Sequence, residues 1–244
     1  TGEDIAAAVS EAGRTVGCPV RYVPGQGYGG DLFDGYVEVI GHVLALIPWA
    51  GTKPEPDRVS IVGYLFDRYE GDHAGNLQQL DGLLRELGFT LDTVLLSGQP
   101  LDRLRQAARA STLIVLPYAH RLKPALEATG RRVVCTGLPM GLRGTSAWLL
   151  QVGQALGVPE QRVRQVIRRL SGHAWQSVSM LRERARGGRS AVFGEHPLAV
   201  GLCDVAESLG LAPRLVGVRA RRDGLLPEQE AFLRDAGVFG TSTP

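Results

Sequence analysis

The chain has few of the residues from which local catalytic and metal sites are built. Its three cysteines, Cys18, Cys135 and Cys203, lie far apart and form no C-x-x-C pair, which excludes a disulfide framework or a zinc site of local spacing and fits a reducing cytoplasm. The five histidines, His42, His73, His120, His173 and His196, show no metal-ligand spacing. There is no G-x-x-x-x-G-K-[ST] phosphate loop, no G-x-S-x-G elbow and no H-E-x-x-H pair. Net charge is also scarce. Twenty-seven basic against 25 acidic residues leave +2 over 244 residues, which gives no reason to expect nucleic acid or an anionic membrane as partner. Arginines do gather between Arg162 and Arg189, where they read as the solvated face of a helix. No apolar run has the length of a membrane span, and the opening TGEDIAAAV is neither a signal peptide nor an initiator. The sequence reads as a fragment.

Beyond these absences, the stretch RRVVCTGLPMGLRGTSAWLL, Arg131 to Leu150, organises the chain. Val133 and Val134 mark a strand, Pro139, Gly141 and Gly144 a loop, and Thr145 stands where a helix N-cap is expected before Ser146 to Leu156. Such a unit points helix N-terminal N–H groups at whatever binds there, and its glycines admit close approach to the main chain.

The surrounding pattern predicts an α/β fold of Rossmann-like layers. Arg58–Phe66, Thr90–Leu96, Thr112–Leu116 and Arg132–Thr136 read as strands. Between them fall helices at Gly71–Leu87, with Leu77, Leu80, Leu84 and Leu87 at helical spacing, at Leu101–Ala110 and at His120–Thr129. Strands this apolar, alternating with helices, indicate a parallel sheet covered on both faces. Before them come a helix (Asp4–Thr15), a short strand (Pro19–Val23), the glycine loop PGQGYGGD and a helix from Asp31 to Ile47. No suitable acidic position follows a second strand, so that loop is not read as a dinucleotide fingerprint. GTKPEPD, Gly51 to Asp57, reads as a linker. After it the expected order is a central domain over 58–157, an arginine-rich helical connection over 158–188 with a break at Ser171-Gly172, and a partial further domain over 189–244. That last part holds a strand at Ser190–Phe193, a helix at Pro197–Leu209, a strand at Arg214–Val218, a helix at Pro227–Ala236 and a strand beginning at Val238.

In open parallel sheets, ligands bind beyond the carboxyl ends of the strands. This selects Asp67, Arg68, Tyr69 and Glu70 after the first central strand, Tyr118 and His120 after the third, and Met140, Gly141, Arg143, Gly144 and Thr145 after the fourth. Glu195 and His196 follow the strand of the last part. Arg143 is the foremost candidate, because a guanidinium at a helix N-terminus suits carboxylates and phosphates. Tyr118, His120, Gly141, Arg143, Gly144 and Thr145 form the candidate cofactor-binding cleft, and no nucleophile is visible.

TGEDI, VPGQGYGGDLFDGY, LPMGLRGTSAWLLQVGQALGVP and GGRSAVFGEHPLAVGLCDVAESLGLAP, in that order with NLQQLDGLLRELGF between them, resemble the component 1 family of nitrogenase. The family includes its cofactor-assembly scaffold and the light-independent protochlorophyllide and chlorophyllide reductases. The loop-and-helix stretch resembles the β-type subunits more than the α-type. The resemblance implies three Rossmann-like domains per subunit, with residues 1–52 the end of the first. It also implies a paired homologous subunit, an iron–sulfur cluster in the complete subunit or complex, and electrons from a separate ATP-hydrolysing iron protein. Departures accompany it. The family's cluster cysteines precede the position matched by Thr1. Gly25 stands where some β subunits carry a cluster-contacting serine, and Leu116-Pro117 stands where the α-type holds a cofactor cysteine. Met180 and Arg182 replace an Asp and a His common in the helix before the third domain.

The expectation is therefore a cytoplasmic piece of an oxidoreductase subunit that takes part in iron–sulfur-dependent, ATP-coupled reduction. It holds no cluster and has no activity by itself. The alternative is a non-catalytic scaffold subunit for a metallocofactor or tetrapyrrole.

Overall fold

A computed structural model of the chain describes residues 4–18, 20–23, 31–64 and 71–219. The loop at 24–30, Asp67 to Glu70, and the helix and strand expected after residue 226 lie outside the described residues. The chain divides into two compact units, one up to Leu46 and one from Ile47 onward.

In the first unit, helix α1 (Ile5–Val16) starts where the Asp4 carboxylate accepts the Ala7 N–H at 3.0 Å, which satisfies one orphan donor of the first turn. Helix α2 (Leu32–Leu44) opens with a reciprocal capping box. Asp31 accepts from the N–H groups of Phe33 and Asp34, and Asp34 accepts from that of Asp31. The strand expected at Pro19–Val23 does not form over the described residues 20–23, which are irregular.

The second unit carries a four-stranded parallel sheet in the order β2-β1-β3-β4. Its strands are β1 (Glu55–Val62), β2 (Thr90–Val94), β3 (Ala110–Val115) and β4 (Arg132–Cys135). Strand β1 begins inside the stretch that reads as a linker. Ser111 reaches across to the Pro56 carbonyl at 3.0 Å and draws that polar segment into the sheet. Val59 and Ile61 on β1 and Ile114 on β3 face one side, where they pack with Leu80, Leu84 and Leu87 of helix α3 (His73–Leu87). The same cluster takes in Trp148, Leu149 and Val152 of helix α4 (Gly141–Ala155) and Val163 and Val166 of helix α5 (Glu160–Ala185). Val62, Leu113 and Val115 alternate to the opposite side and are equally inaccessible. Both faces are thus covered, as the apolar runs require.

Two expected helices come out shorter. After β2 the α-helical turns span only Asp102–Gln106 before a 3-10 turn, and after β3 a 3-10 turn, Pro117–Leu122, precedes the short helix Lys123–Glu127. Pro124 is the cause in the second case, since proline is accommodated in a first turn but not in a helix interior. Helix α5 runs without interruption through Ser171-Gly172, where the sequence pattern predicts a break. One glycine costs a helix only about 1 kcal/mol, and its 26 residues absorb it.

A separate two-stranded parallel sheet follows, β5 (Arg189–Glu195) beside β6 (Ala212–Arg219), with helix α6 (His196–Ser208) between them in sequence. Val192 and Val216 pack beneath Ala199 and Cys203 of α6.

Candidate functional site at the carboxyl edge of the sheet

The strand order reverses direction between β1 and β3, so the carboxyl ends of these strands and of β4 form the edge where a ligand crevice belongs. Gly63 directly follows β1 with φ of +91°. A Cβ there would lie 2.8 Å from the Leu116 carbonyl oxygen and 2.9 Å from the Ala119 Cβ. The loops after β1 and β3 therefore touch through a glycine that no other residue replaces without strain.

Tyr118 and His120 sit in the 3-10 turn after β3, both partly exposed. His120 Nε2 lies 3.1 Å from the Val115 carbonyl and 3.0 Å from the Thr136 carbonyl. Carbonyl oxygens only accept, so Nε2 carries the proton and Nδ1 holds the lone pair in the neutral ring. The imidazole bridges the ends of β3 and β4. Burial pushes its pKa down, against the raising effect of those two carbonyls. The Thr136 hydroxyl is fully buried and without a hydrogen-bond partner among the described residues.

A second imidazole, which the sequence does not single out, is fixed in the same manner one strand away. Tyr64 follows Gly63, and its hydroxyl lies 3.1 Å from Nδ1 of His73, at the start of α3. Its only advance sign is that a histidine in the first turn of a helix after a strand stands at this edge.

At the start of α4 the structure corrects the sequence reading. The helix begins at Gly141 with Met140 as N-cap, four residues before Thr145, and no side chain of the local sequence caps it. The cap comes from Asp204 on α6. Its Oδ2 accepts the Arg143 N–H at 2.7 Å and the Gly144 N–H at 3.4 Å, and its Oδ1 accepts Arg143 Nε–H at 2.7 Å. The outer guanidinium nitrogen reaches Glu207. Gly141, at φ of +72°, passes so close that a Cβ would overlap the Asp204 carboxylate. Gly141, Arg143 and Gly144, read from the sequence as part of a cofactor-binding cleft, gather around a carboxylate of the same chain. Thr145 takes no part in the cap. The sign of this in the sequence is faint: an acid, Asp204, inside the apolar run GLCDVA, which must find donors if buried. Glu195 and His196 stand at the carboxyl end of β5, in the other sheet, and His196 is buried.

The cysteines do not form a centre. Cys18 is exposed, Cys135 half-buried and Cys203 buried. Burial pushes both the Cys135 and the Cys203 thiol up, away from the thiolate that binds iron. Among the described residues no group of three or more His, Cys, Asp or Glu side chains is placed to hold a metal ion, so these residues do not fit an iron–sulfur cluster. No helix among them is long and apolar enough to cross a membrane.

The parallel sheets layered with helices define a Rossmann-like α/β protein, and comparison with known proteins gives its family. The sequence model of the nitrogenase component 1 type oxidoreductase matches residues 1–241, and the chain belongs to that family. It is similar to the N subunit of the light-independent protochlorophyllide reductase of Prochlorococcus marinus, 27% identical over 66% of this chain and 37% of the relative. It is also similar to the B subunit of the light-independent protochlorophyllide reductase of Rubrivivax gelatinosus, 27% identical over 61% of this chain and 28% of the relative. The chain thus spans well under half the length of these two relatives. A solved structure of nitrogenase Cp1 at pH 5 superposes with a TM-score of 0.68 at 18% identity, covering 97% of this chain and 50% of that one. Nitrogenase Cp1 at pH 6.5 gives 0.67 at 18% identity over 89% and 42%.

Proposed function

We propose that this chain is the central and part of the last domain of a β-type component 1-like subunit. Paired in the cytoplasm with a homologous subunit, it takes part in an iron–sulfur-dependent reduction whose electrons come from an ATP-hydrolysing iron protein. The observation that carries this reading is the family match over residues 1–241, almost the whole chain. That the relatives are the N and B subunits of one kind of reductase supports the paired subunit. In this reading the cluster is held by residues other than those described, and this chain supplies the sheet edge. Tyr118 and the Nδ1 face of His120 line it, with the first turn of α4 alongside.

A second reading, a non-catalytic scaffold for a metallocofactor or tetrapyrrole, is favoured by one observation. The donors of Arg143 and Gly144, the most legible ligand site of the sequence, already bind Asp204.

The deciding experiment is anaerobic expression of the full reading frame with its neighbouring subunit, followed by iron analysis and EPR after dithionite reduction. Stoichiometric iron with a cluster signal supports the reductase subunit. A folded complex without iron overturns it in favour of the scaffold.

A further inference from the structure

We infer that β5, α6 and β6 form a hinged lobe, latched to the four-stranded sheet by the Asp204 carboxylate inserted at the start of α4. Among the described residues no strand pairing joins β5–β6 to the larger sheet, whose order ends at β4. The lobe is reached through α5, which ends at Ala185 and passes through its C-cap Arg186 into Gly187-Gly188, Gly187 having φ of +78°. Gly187 and Gly188 are bonded into the lobe, through the Gly187 N–H to the Gly210 carbonyl at 3.2 Å and the Ala212 N–H to the Gly188 carbonyl at 2.9 Å. The pivot therefore falls between them and α5, spanned by the Gly188 N–H to Ala185 carbonyl bond at 2.9 Å.

The latch is the seam between α4 and α6. Met140 lies against Gly201, where a Cβ would come within 2.7 Å of its side chain, and the Asp204 carboxylate lies against Gly141. Asp204 is only 4% exposed and takes three N–H donors, two from backbone and one from a guanidinium. Partial separation at that depth would leave the Asp204 oxygens and their N–H donors buried without partners, so the closed and the fully solvated arrangements are favoured over those between. The seam therefore opens as a unit. Opening hands the Asp204 carboxylate and the first-turn N–H groups of α4 to solvent together. Glu207, one turn further along α6, holds the outer edge of Arg143 and acts as the exposed half of the latch.

Hydrogen exchange followed by mass spectrometry on the full 244-residue chain tests this, with wild type, Asp204→Asn, Glu207→Gln and Thr145→Ala compared. Asp204→Asn is expected to raise exchange roughly tenfold in peptides covering 140–147 and 196–209, with β1 and β3 unchanged. Glu207→Gln is expected to give a smaller rise, about threefold, in the same peptides, and Thr145→Ala none. A uniform rise across all peptides would reduce the contact to ordinary packing and overturn the hinged lobe. Unchanged exchange in Asp204→Asn would overturn the latch. Should Asp204→Asn fail to accumulate as folded protein, Glu207→Gln carries the test by the same two criteria.

Discussion

Tyr64 and His73 are joined by a 3.1 Å contact from the phenol oxygen to Nδ1, while the opposite nitrogen, Nε2, lies 2.9 Å from the Ser97 carbonyl. Because a carbonyl only accepts, Nε2 carries the hydrogen and the neutral ring accepts the Tyr64 O–H at Nδ1. One proton position on His73 thus ties the exit of β1 to the start of α3 and to the turn after β2. Tyr64→Phe removes the hydroxyl and is expected to cost about 1 kcal/mol in urea unfolding. Two-dimensional nitrogen NMR of the ring is expected to show the Nε2–H tautomer in the wild type, and an Nδ1–H form would contradict the assignment.

His120 makes stability depend on pH. Its folded pKa lies below the ordinary value of 6.5 because burial disfavours the imidazolium. Between that depressed value and 6.5 the unfolded chain binds more protons than the folded one, so stability falls as pH drops below about 6.5. The slope is bounded by about 1.4 kcal/mol per pH unit for one group. Urea midpoints from pH 7 down to pH 5 are expected to decline more steeply in wild type than in His120→Gln. Parallel declines would mean that His120 titrates as an ordinary imidazole.

At Gly63 the conformation and the space both forbid a side chain. Gly63→Ala combines a left-handed φ with a Cβ 2.8 Å from the Leu116 oxygen, and a loss of about 2–4 kcal/mol is expected. Circular dichroism melts give the value. A loss below about 0.5 kcal/mol would show that the loops after β1 and β3 do not touch in solution.

Thr145→Ala separates the sequence reading from the structure. Were Thr145 the N-cap, alanine would cost about 0.5–2 kcal/mol. The helix already runs from Gly141 and is capped by Asp204, so a change within about 0.5 kcal/mol is expected in the same melts.

Trp148 reports the core. It is 1% exposed, packed in one cluster with Ile61, Leu84 and Ile114, and is the largest of the fully buried side chains. Trp148→Ala is expected to lose about 3–5 kcal/mol through the lost transfer energy and the cavity left behind. A smaller loss would show that the α4 face of the sheet collapses into the space.

Periodicity by itself determined the layered α/β architecture, and the residues that match the component 1 family determined the family. The apolar runs of β1 and β3 and the leucines of α3 are local facts: a strand must show side chains to two faces and a helix to one stripe. Glycines and acids beside them marked the element ends to within a few residues, as at Asp31 and Gly88. Tertiary structure decided what satisfies the polar groups at the edge. The start of α4 has no local cap because Asp204, 61 residues beyond Arg143, supplies one. His120 and His73 acquire their tautomers from carbonyls that other strands and turns bring up. Hydrogen bonds over such separations leave no period in the sequence. They depend on which strand ends the sheet order places side by side, and that is set only when the sheet closes on its helices.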